Sequence, residues 1–197
     1  MLLYYYEESG GFVKILLIFG STRIERHGEV VFSWVQEQIK AREDIELDAV
    51  DLRDVPLPFY DEPKSIGSLN GNFNHEVGKQ WNERVAKADG FIMITPEYNH
   101  GTSAVLKNAI DYAWAGWNYK PVSFISYSSG AIAGARATEQ LRLTASGVNL
   151  LPLPTATHVP NLGDAFDGNG QPTSDKTTQS LNSLLEELAT VGKKLAS

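Results

Sequence analysis

The sequence predicts a doubly wound α/β domain, in which a parallel sheet carries helices on both faces. Three observations lead to this prediction. Short apolar runs alternate with segments of helical periodicity along most of the 197 residues. Most of the runs are continuously apolar, which is typical of strands buried on both faces. Parallel strands also need a covering segment between them, and the helical segments supply it.

The first elements follow from their patterns. The apolar run 13–19 reads as a buried strand that Gly20 ends, and residues 29–42 place apolar side chains at helical spacing. Residues 45–51 alternate between apolar and polar side chains, as a strand does. Residues 52–72 contain three prolines and two glycines, so we expect no regular structure there.

The second half of the chain repeats the alternation. Residues 74–88 show helical spacing, and Pro96 stops the apolar run 91–95. Residues 158–172 are rich in Gly, Pro, Asn and Asp and predict a loop. The remaining predicted elements are a helix over 102–114, a strand over 121–127, a helix over 131–146, a short strand over 149–153 and a terminal amphipathic helix over 174–195.

Composition and charge exclude several classes of function. The chain is 42% hydrophobic and 21% charged, which is ordinary for a folded domain. A net charge of -7 disfavours nucleic acid and anionic membranes as partners. The chain contains no cysteine, which rules out disulfides and thiolate metal sites and fits the cytoplasm. We expect residues 1–11 to be a mobile N-terminal extension and residues 12–197 to form a single domain.

The segment Gly20-Ser21-Thr22-Arg23 lies between the first strand and a helix, which is typical of an anion site. Its hydroxyls are suited to donate hydrogen bonds, and its arginine is a charged donor fork suited to phosphate. Arg26 and His27 add positive charge. Neither a Walker motif nor a dinucleotide fingerprint is present, so a terminal phosphate fits better than a pyrophosphate. The alternative is that the hydroxyls only cap the helix and the arginine is solvated.

Residues 95–111, TPEYNHGTSAVLKNAID, follow the buried strand 91–95. This run closely resembles the signature of the NAD(P)H-dependent FMN reductase family, which includes quinone and chromate reductases. P-E-Y-N at 96–99 and L-K-N-A-I-D at 106–111 are intact and keep the family's spacing. Ala104 and Trp114 depart from the family's usual Gly and Ser.

Two further segments extend the resemblance over roughly residues 13–150. Residues 18–23 are similar to the family's phosphate loop, and residues 126–136 are similar to its third flavin loop. The resemblance implies a flavodoxin-like three-layer sandwich with a five-stranded parallel sheet in the order 2-1-3-4-5. It also implies bound FMN, with NADPH or NADH as co-substrate.

The resemblance assigns twelve cofactor-binding residues to three groups. The phosphate would be held by Ser21, Arg23, Arg26, His27 and Gly28, the isoalloxazine would be lined by Pro96, Glu97, Tyr98 and Asn99, and its pyrimidine edge would lie near Ser128, Ser129 and Gly130. The alternative for 96–99 is a turn in which Asn99 caps the next helix. We expect Lys107, Asn108 and Asp111 to make internal hydrogen bonds rather than flavin contacts.

The implied activity is NAD(P)H:acceptor oxidoreduction, in which flavin N5 takes a hydride and two electrons pass to a quinone, flavin, azo compound or metal oxyanion. We assign no catalytic side chain, because the cofactor carries the chemistry. The histidines lack metal-ligand spacing, so we expect no metal site. The alternatives are a non-enzymatic FMN-binding electron carrier or sensor and, least favoured, a hydrolase with a triad assembled in space.

The family's usual assembly is a homodimer or a tetramer built from dimers, and we expect the same here. Residues 58–61 and 114–117 are aromatic and lie in predicted loops or at a helix end, so they are candidate interface patches. The alternative is that these aromatic side chains cover the core.

Overall fold

The computed structural model describes residues 11–69 and 71–196, in which strands and helices alternate along the chain. The strands are β1 (Val13–Phe19), β2 (Ile45–Asp51), β3 (Gly90–Pro96), β4 (Pro121–Tyr127) and β5 (Leu151–Val159). The helices are α1 (Glu29–Lys40), α2 (Ile66–Leu69), α3 (Glu76–Lys87), α4 (Ala104–Asp111), α5 (Ala135–Gly147) and α6 (Asp175–Ala196). The predicted mobile extension lies outside the described residues, apart from Gly11.

The strands form one parallel sheet in the order β2-β1-β3-β4-β5, which confirms the predicted topology. The chain runs from β1 outward to β2 and then returns to the other side of β1 for β3. The strand order therefore reverses between β1 and β3. Loops at such a reversal separate and leave a crevice at the carboxyl ends of the strands.

Each face of the sheet has its own apolar core, which confirms the three-layer arrangement. Trp34 of α1 and Leu184 of α6 belong to one buried cluster, together with Ile15 and Leu17 of β1. Helices α3, α4 and α5 cover the other face, where Trp81 lies in the second cluster. Because successive side chains of β1 point to opposite faces, both clusters draw on this central strand.

The last strand differs from its prediction. We expected a strand over 149–153, whereas β5 extends from Leu151 to Val159 and includes Pro152 and Pro154. β5 lies at the edge of the sheet and pairs only with β4, where a proline without an N–H does not interrupt a ladder on both sides. Its register against β4 also shifts between Val122 and Phe124.

Three helical boundaries also differ. The short helix α2 lies within 52–72, where we expected no regular structure. Helix α4 is shorter than predicted, and a 3₁₀ turn over Ala115–Trp117 follows it. Helix α5 begins at Ala135 rather than 131, because Ala133 and Gly134 adopt positive φ angles of 57° and 80°. The residues that precede α5 therefore form a loop beside the end of β4.

The two candidate interface patches are packed differently. Phe59 is 80% exposed, whereas Trp117 is fully buried and its indole N–H donates to the carbonyl of Ile110 at 3.1 Å. Trp117 therefore belongs to the core, as the alternative interpretation held. Among the helices of the described residues, none is long and apolar enough to cross a membrane.

Candidate active site

A cavity of about 350 Å³ lies at the carboxyl ends of β1, β3 and β4. It lies beside the reversal of strand order, where the topology predicts a ligand site. Its lining includes Ser21, Arg23, Arg26, His27, Pro96, Glu97, Tyr98, Ser128 and Ser129, all of them predicted site residues. The predicted residues Gly28, Asn99 and Gly130 do not line it, while Tyr127, Leu162 and Gly163 line it without having been predicted.

The loop after β1 is held against the neighbouring strand and helix. Gly20 N–H donates to the carbonyl of Ile94 at 2.8 Å, and the Ser103 hydroxyl donates to the carbonyl of Gly20. A Cβ on Gly20 would lie 2.9 Å from the side chain of Leu106, so this approach requires glycine. Ser103 also caps α4 by accepting from Leu106 N–H. The start of the first loop therefore has a fixed position.

Arg26 stabilises the same loop through hydrogen bonds from its buried side chain. Its side chain is only 4% exposed, and the guanidinium lies over the Phe19 ring at 4.3 Å. It donates two hydrogen bonds to the Asp51 carboxylate, one to the carbonyl of Ser21 and one to Glu29. Burial lowers the pKa of Arg26, but these carboxylates outweigh it and raise the pKa. Most of the donors of Arg26 are therefore already engaged within the protein.

Arg23 and His27 differ from Arg26 in both exposure and hydrogen bonding. Both side chains are exposed at the cavity, and among the described residues neither makes a hydrogen bond or ion pair. Only the backbone carbonyl of Arg23 is engaged, since it accepts from Arg53 Nη2 at 2.8 Å. The guanidinium of Arg23 therefore presents its full donor fork to an incoming anion.

The second loop contains a tight turn. Asn99 and His100 have φ angles of 50° and 69°, and Tyr98 and Gly101 exchange backbone hydrogen bonds of 2.9 and 3.0 Å. Two consecutive positive φ angles are the mark of a type I′ turn, and asparagine is one of the few residues that adopt them readily. The turn leaves Tyr98 at the cavity and Asn99 outside its lining. The cap of α4 is Ser103 rather than Asn99.

Glu97 links the second loop to the third. Its side chain is 7% exposed, and its carboxylate accepts from Arg136 Nε at 2.7 Å and from Arg136 N–H at 3.2 Å. Burial raises the pKa of Glu97, but the hydrogen bonds from Arg136 and from the first turn of α5 outweigh it, so the pKa is lowered. An ionised carboxylate at the start of α5 also interacts favourably with the helix dipole.

The third loop brings two unpredicted residues into the cavity. Leu162 N–H donates to the carbonyl of Ser128 at 3.0 Å, and Ser128 N–H donates to the carbonyl of Val159 at 3.3 Å. These bonds hold Leu162 and Gly163 beside the end of β4. Both lie in the predicted loop 158–172, and no local pattern marks them as site residues. Only the pairing of β4 with β5 places them here.

Tyr127 is the other unpredicted residue of the cavity lining. It ends β4 and is 6% exposed, and a Cβ on Gly28 would overlap its hydroxyl and ring. Among the described residues, nothing forms a hydrogen bond with its hydroxyl. Burial raises the pKa of Tyr127 to about 12, so the phenol is neutral. Its position at the carboxyl end of β4, the strand next to β3, was the available signal.

Lys107, Asn108 and Asp111 make internal bonds, as predicted. Asn108 donates to the carbonyl of Pro58 at 2.8 Å and accepts from Tyr60 N–H at 3.0 Å. Lys107 and Asp111 form an ion pair with each other. Asn108 therefore positions the segment 58–60 rather than the second loop of the cavity.

The cavity has two chemically different ends. The unpaired guanidinium of Arg23, the imidazole of His27 and the hydroxyl of Ser21 lie at the first loop, which suits a phosphate group. Pro96, the Tyr98 ring and the turn after β4 lie on the other side, which suits the face and edge of a planar ring. The Tyr98 hydroxyl connects the two sides, since it lies 3.5 Å from the Ser21 hydroxyl. Within the described residues, no group of three or more His, Asp or Glu side chains is placed to hold a metal ion. The residues present thus fit a planar cofactor with a terminal phosphate.

Comparisons with known proteins agree with this chemistry. The family model described as NADPH-dependent FMN reductase matches residues 13–163, which include all three loops. An NAD(P)H-dependent FMN reductase of Schizosaccharomyces pombe is 37% identical over 142 residues, which are 72% of this chain and 70% of that protein. A quinone reductase of Pseudomonas putida is 27% identical over 183 residues, or 89% of this chain and 92% of that one.

A solved structure shows the same fold. The NAD(P)H:acceptor oxidoreductase FerB of Paracoccus denitrificans superposes with a TM-score of 0.74 over 93% of this chain and 98% of that one, at 24% identity.

Proposed function

Because this chain belongs to the NADPH-dependent FMN reductase family and is an FMN-dependent NAD(P)H oxidoreductase, we propose that it reduces small planar acceptors, quinones first among them. Free flavins, azo compounds and metal oxyanions are further acceptors under this proposal. The net reaction oxidises NAD(P)H to NAD(P)⁺ and reduces a quinone, with one proton from solvent, to a hydroquinone. Family membership favours this function over the carrier, sensor and hydrolase alternatives.

The observation that carries the proposal is the two-ended cavity at the carboxyl ends of β1, β3 and β4. At the phosphate end, Arg23, His27 and Ser21 would contact the terminal phosphate of FMN. At the ring end, Pro96 and Tyr98 would line the isoalloxazine. Bound FMN would supply the redox chemistry, which is hydride acceptance from NAD(P)H and two-electron transfer to the acceptor.

The protein's own residues position the cofactor and take no covalent part. Among the described residues that line the cavity, Glu97 alone carries a carboxylate, but its hydrogen bonds with Arg136 and its lowered pKa keep it ionised. We therefore propose that it positions the second and third loops and does not transfer protons. In the 128–130 turn, Ser128 N–H donates to the carbonyl of Val159 and Gly130 N–H donates to the Ser128 hydroxyl. The N–H of Ser129 is therefore the proposed dipole beside the pyrimidine edge, where negative charge would develop on reduction.

The mouth of the cavity supports a broad choice of acceptor. Tyr98 and Ser129 are exposed there, and the exposed turn at Gly163 completes the rim. An open rim with an aromatic face binds flat molecules by stacking and apolar contact, and these three exposed residues place no buried polar group there that would reject one oxidant in favour of another. Planar quinones suit such a rim.

Anaerobic stopped-flow mixing of the holoprotein tests the proposal. We expect NADPH or NADH to bleach the visible absorbance of the bound flavin, and benzoquinone to restore it. An azo dye, free FMN and chromate, tested in the same way, rank the acceptors, and paired runs with both nucleotides identify the preferred donor. A flavin that neither nucleotide reduces would contradict the proposal, as would reduced protein that no acceptor of the panel oxidises.

We also propose that the protein acts in the cytoplasm as a homodimer or as a tetramer built from dimers. Its exposed Phe59 supports an interface at the segment 58–61, which Asn108 holds in place. Light scattering coupled to size-exclusion chromatography measures the oligomeric state directly. Replacing Phe59 by serine should shift the protein toward the monomer. An unchanged mass for this variant would show that the segment is not part of the interface.

A further inference from the structure

Two buried tyrosine hydroxyls, those of Tyr112 and Tyr127, have no hydrogen-bond partner among the described residues. Leaving a buried hydroxyl unpaired costs free energy, so each such group calls for a physical explanation. Tyr112 is fully buried in the core beneath α4 and does not line the cavity. Tyr127 does line the cavity, so a ligand bound there would lie next to this residue.

The hydroxyl of Tyr127 is buried against the first loop, beside the phosphate end of the cavity. Although Tyr127 belongs to β4, its hydroxyl reaches the first loop and lies against Gly28. Burial raises its pKa most, and Tyr98 raises it further, whereas Ser21, Arg26 and Arg23 lower it. Ser21, Arg23 and Arg26 belong to the first loop, as does Gly28, against which the hydroxyl lies.

Gly28 is required for this arrangement. Any side chain at position 28 would occupy the volume of the Tyr127 hydroxyl and displace it from the loop. Gly28 does not line the cavity itself. Its proposed role toward phosphate is therefore indirect, since it gives the tyrosine access to the loop.

We propose that the Tyr127 hydroxyl is a ligand of the terminal phosphate, donating its hydrogen to a phosphate oxygen and selecting FMN over riboflavin. The inference rests on the proposed placement of FMN. A neutral phenol is a donor, and a phosphate oxygen is the acceptor it lacks in the protein alone. The hydroxyl is thus the contribution of β4 to a phosphate site otherwise built from the loop after β1.

Titration of the apoprotein with FMN and with riboflavin tests the inference, because riboflavin lacks only the phosphate. We expect Tyr127→Phe to weaken FMN binding about ten- to a hundredfold, the loss that follows when a hydrogen bond to a charged group is removed. Riboflavin binding should be unchanged. The ³¹P resonance of bound FMN should also move in this variant.

Tyr112→Phe is the matched control, since it removes another buried hydroxyl that lacks a partner among the described residues and that lies away from the cavity. It should leave the affinities for both flavins unchanged. Neither substitution should lower the melting temperature of the apoprotein, because each removes an unpaired polar group. A weaker affinity for FMN combined with undiminished stability is a pattern that a merely structural hydroxyl would not produce.

Three results would overturn the inference: wild-type affinity for FMN in Tyr127→Phe, equal weakening of FMN and riboflavin, or the same loss in Tyr112→Phe. Failure of the proposed function is distinguishable from these, because it would show in the wild-type protein as no FMN binding or no reduction by NAD(P)H.

Discussion

Replacing Arg26 by methionine removes the guanidinium beneath the first loop and keeps an apolar stem over the Phe19 ring. The change leaves the Asp51 carboxylate, which is 17% exposed, without its ion-pair partner and with only the hydrogen bond from Arg53 N–H. Removing one member of a buried ion pair costs about 3–5 kcal/mol. Because Asp51 retains some contact with water, we expect the lower end, about 3 kcal/mol. The second partner, Glu29, is largely exposed and adds little.

Urea unfolding of the apoprotein measures this cost without a contribution from bound cofactor. With a slope of about 2 kcal/mol per molar, the midpoint should fall by about 1.5 M. Arg23→Ala is the contrasting variant from the same loop. Its stability should stay within about 0.5 kcal/mol of the wild type, while FMN binding weakens about ten- to a hundredfold.

The stability that the Arg26–Asp51 ion pair contributes should decrease at low pH. Burial raises the pKa of Asp51, but hydrogen bonds from Arg26 and from Arg53 N–H outweigh it, so the pKa is lowered in the folded protein. The pair therefore contributes fully above the ordinary aspartate pKa of about 3.9 and loses its contribution as the pH falls through the lower folded value. The stability gap between wild type and Arg26→Met should narrow in acid.

The reasoning would be refuted if Arg26→Met kept wild-type stability and lost only FMN affinity, because Arg26 would then be a phosphate ligand. It would equally be refuted if Arg23→Ala destabilised the apoprotein. Adding Asp51→Asn to Arg26→Met should recover part of the lost stability, since the double variant no longer holds an unpaired carboxylate.

Three further substitutions test individual positions of the site. Gly28→Ala should cost about 1–3 kcal/mol in urea unfolding, because the new methyl group overlaps the Tyr127 ring, and wild-type stability would contradict the close approach. Asn99→Val should lower stability by about 1–2 kcal/mol because residue 99 has a φ of 50°, while Asn99→Gly should lower it less. If Asn99→Gly nevertheless lost FMN affinity, the amide would contact the cofactor. Glu97→Gln should cost about 1 kcal/mol at neutral pH. Because the Glu97 pKa is lowered, this cost should fade as the pH drops through the folded value, and a pH-independent cost would show that the charge plays no part.

Much of the fold follows from local pattern. The ranges of β1, β2 and β4 agree with their predictions because Gly20 and Pro121 mark boundaries and the apolar runs are distinct. The length of β5 did not follow, since prolines end central strands but not edge strands, and edge position is a property of the whole sheet. The start of α5 was missed because Ala133 adopts a left-handed conformation that alanine rarely takes.

The candidate site, like the fold, was only partly predictable from local sequence patterns. Loops at the carboxyl ends of three strands were identifiable from the alternation of strands and helices, and the run 95–111 pointed to flavin. Leu162 reaches the cavity only through the pairing of β5, which the sequence around it does not indicate. Arg26 and Asp51 are 25 residues apart in sequence, so their ion pair could not be read from spacing. Whether Arg26 acts as a direct phosphate ligand or as support for the loop therefore depends on contacts across the crossover.

A crystal structure of the protein with FMN tests the central claim most directly. We predict the phosphate beside Arg23 and the Tyr127 hydroxyl at the first loop, with the isoalloxazine against Pro96 and Tyr98. Arg26 should keep its contacts with Asp51 in that complex. A flavin bound in the reverse orientation, or bound away from the carboxyl ends of β1, β3 and β4, would contradict the account.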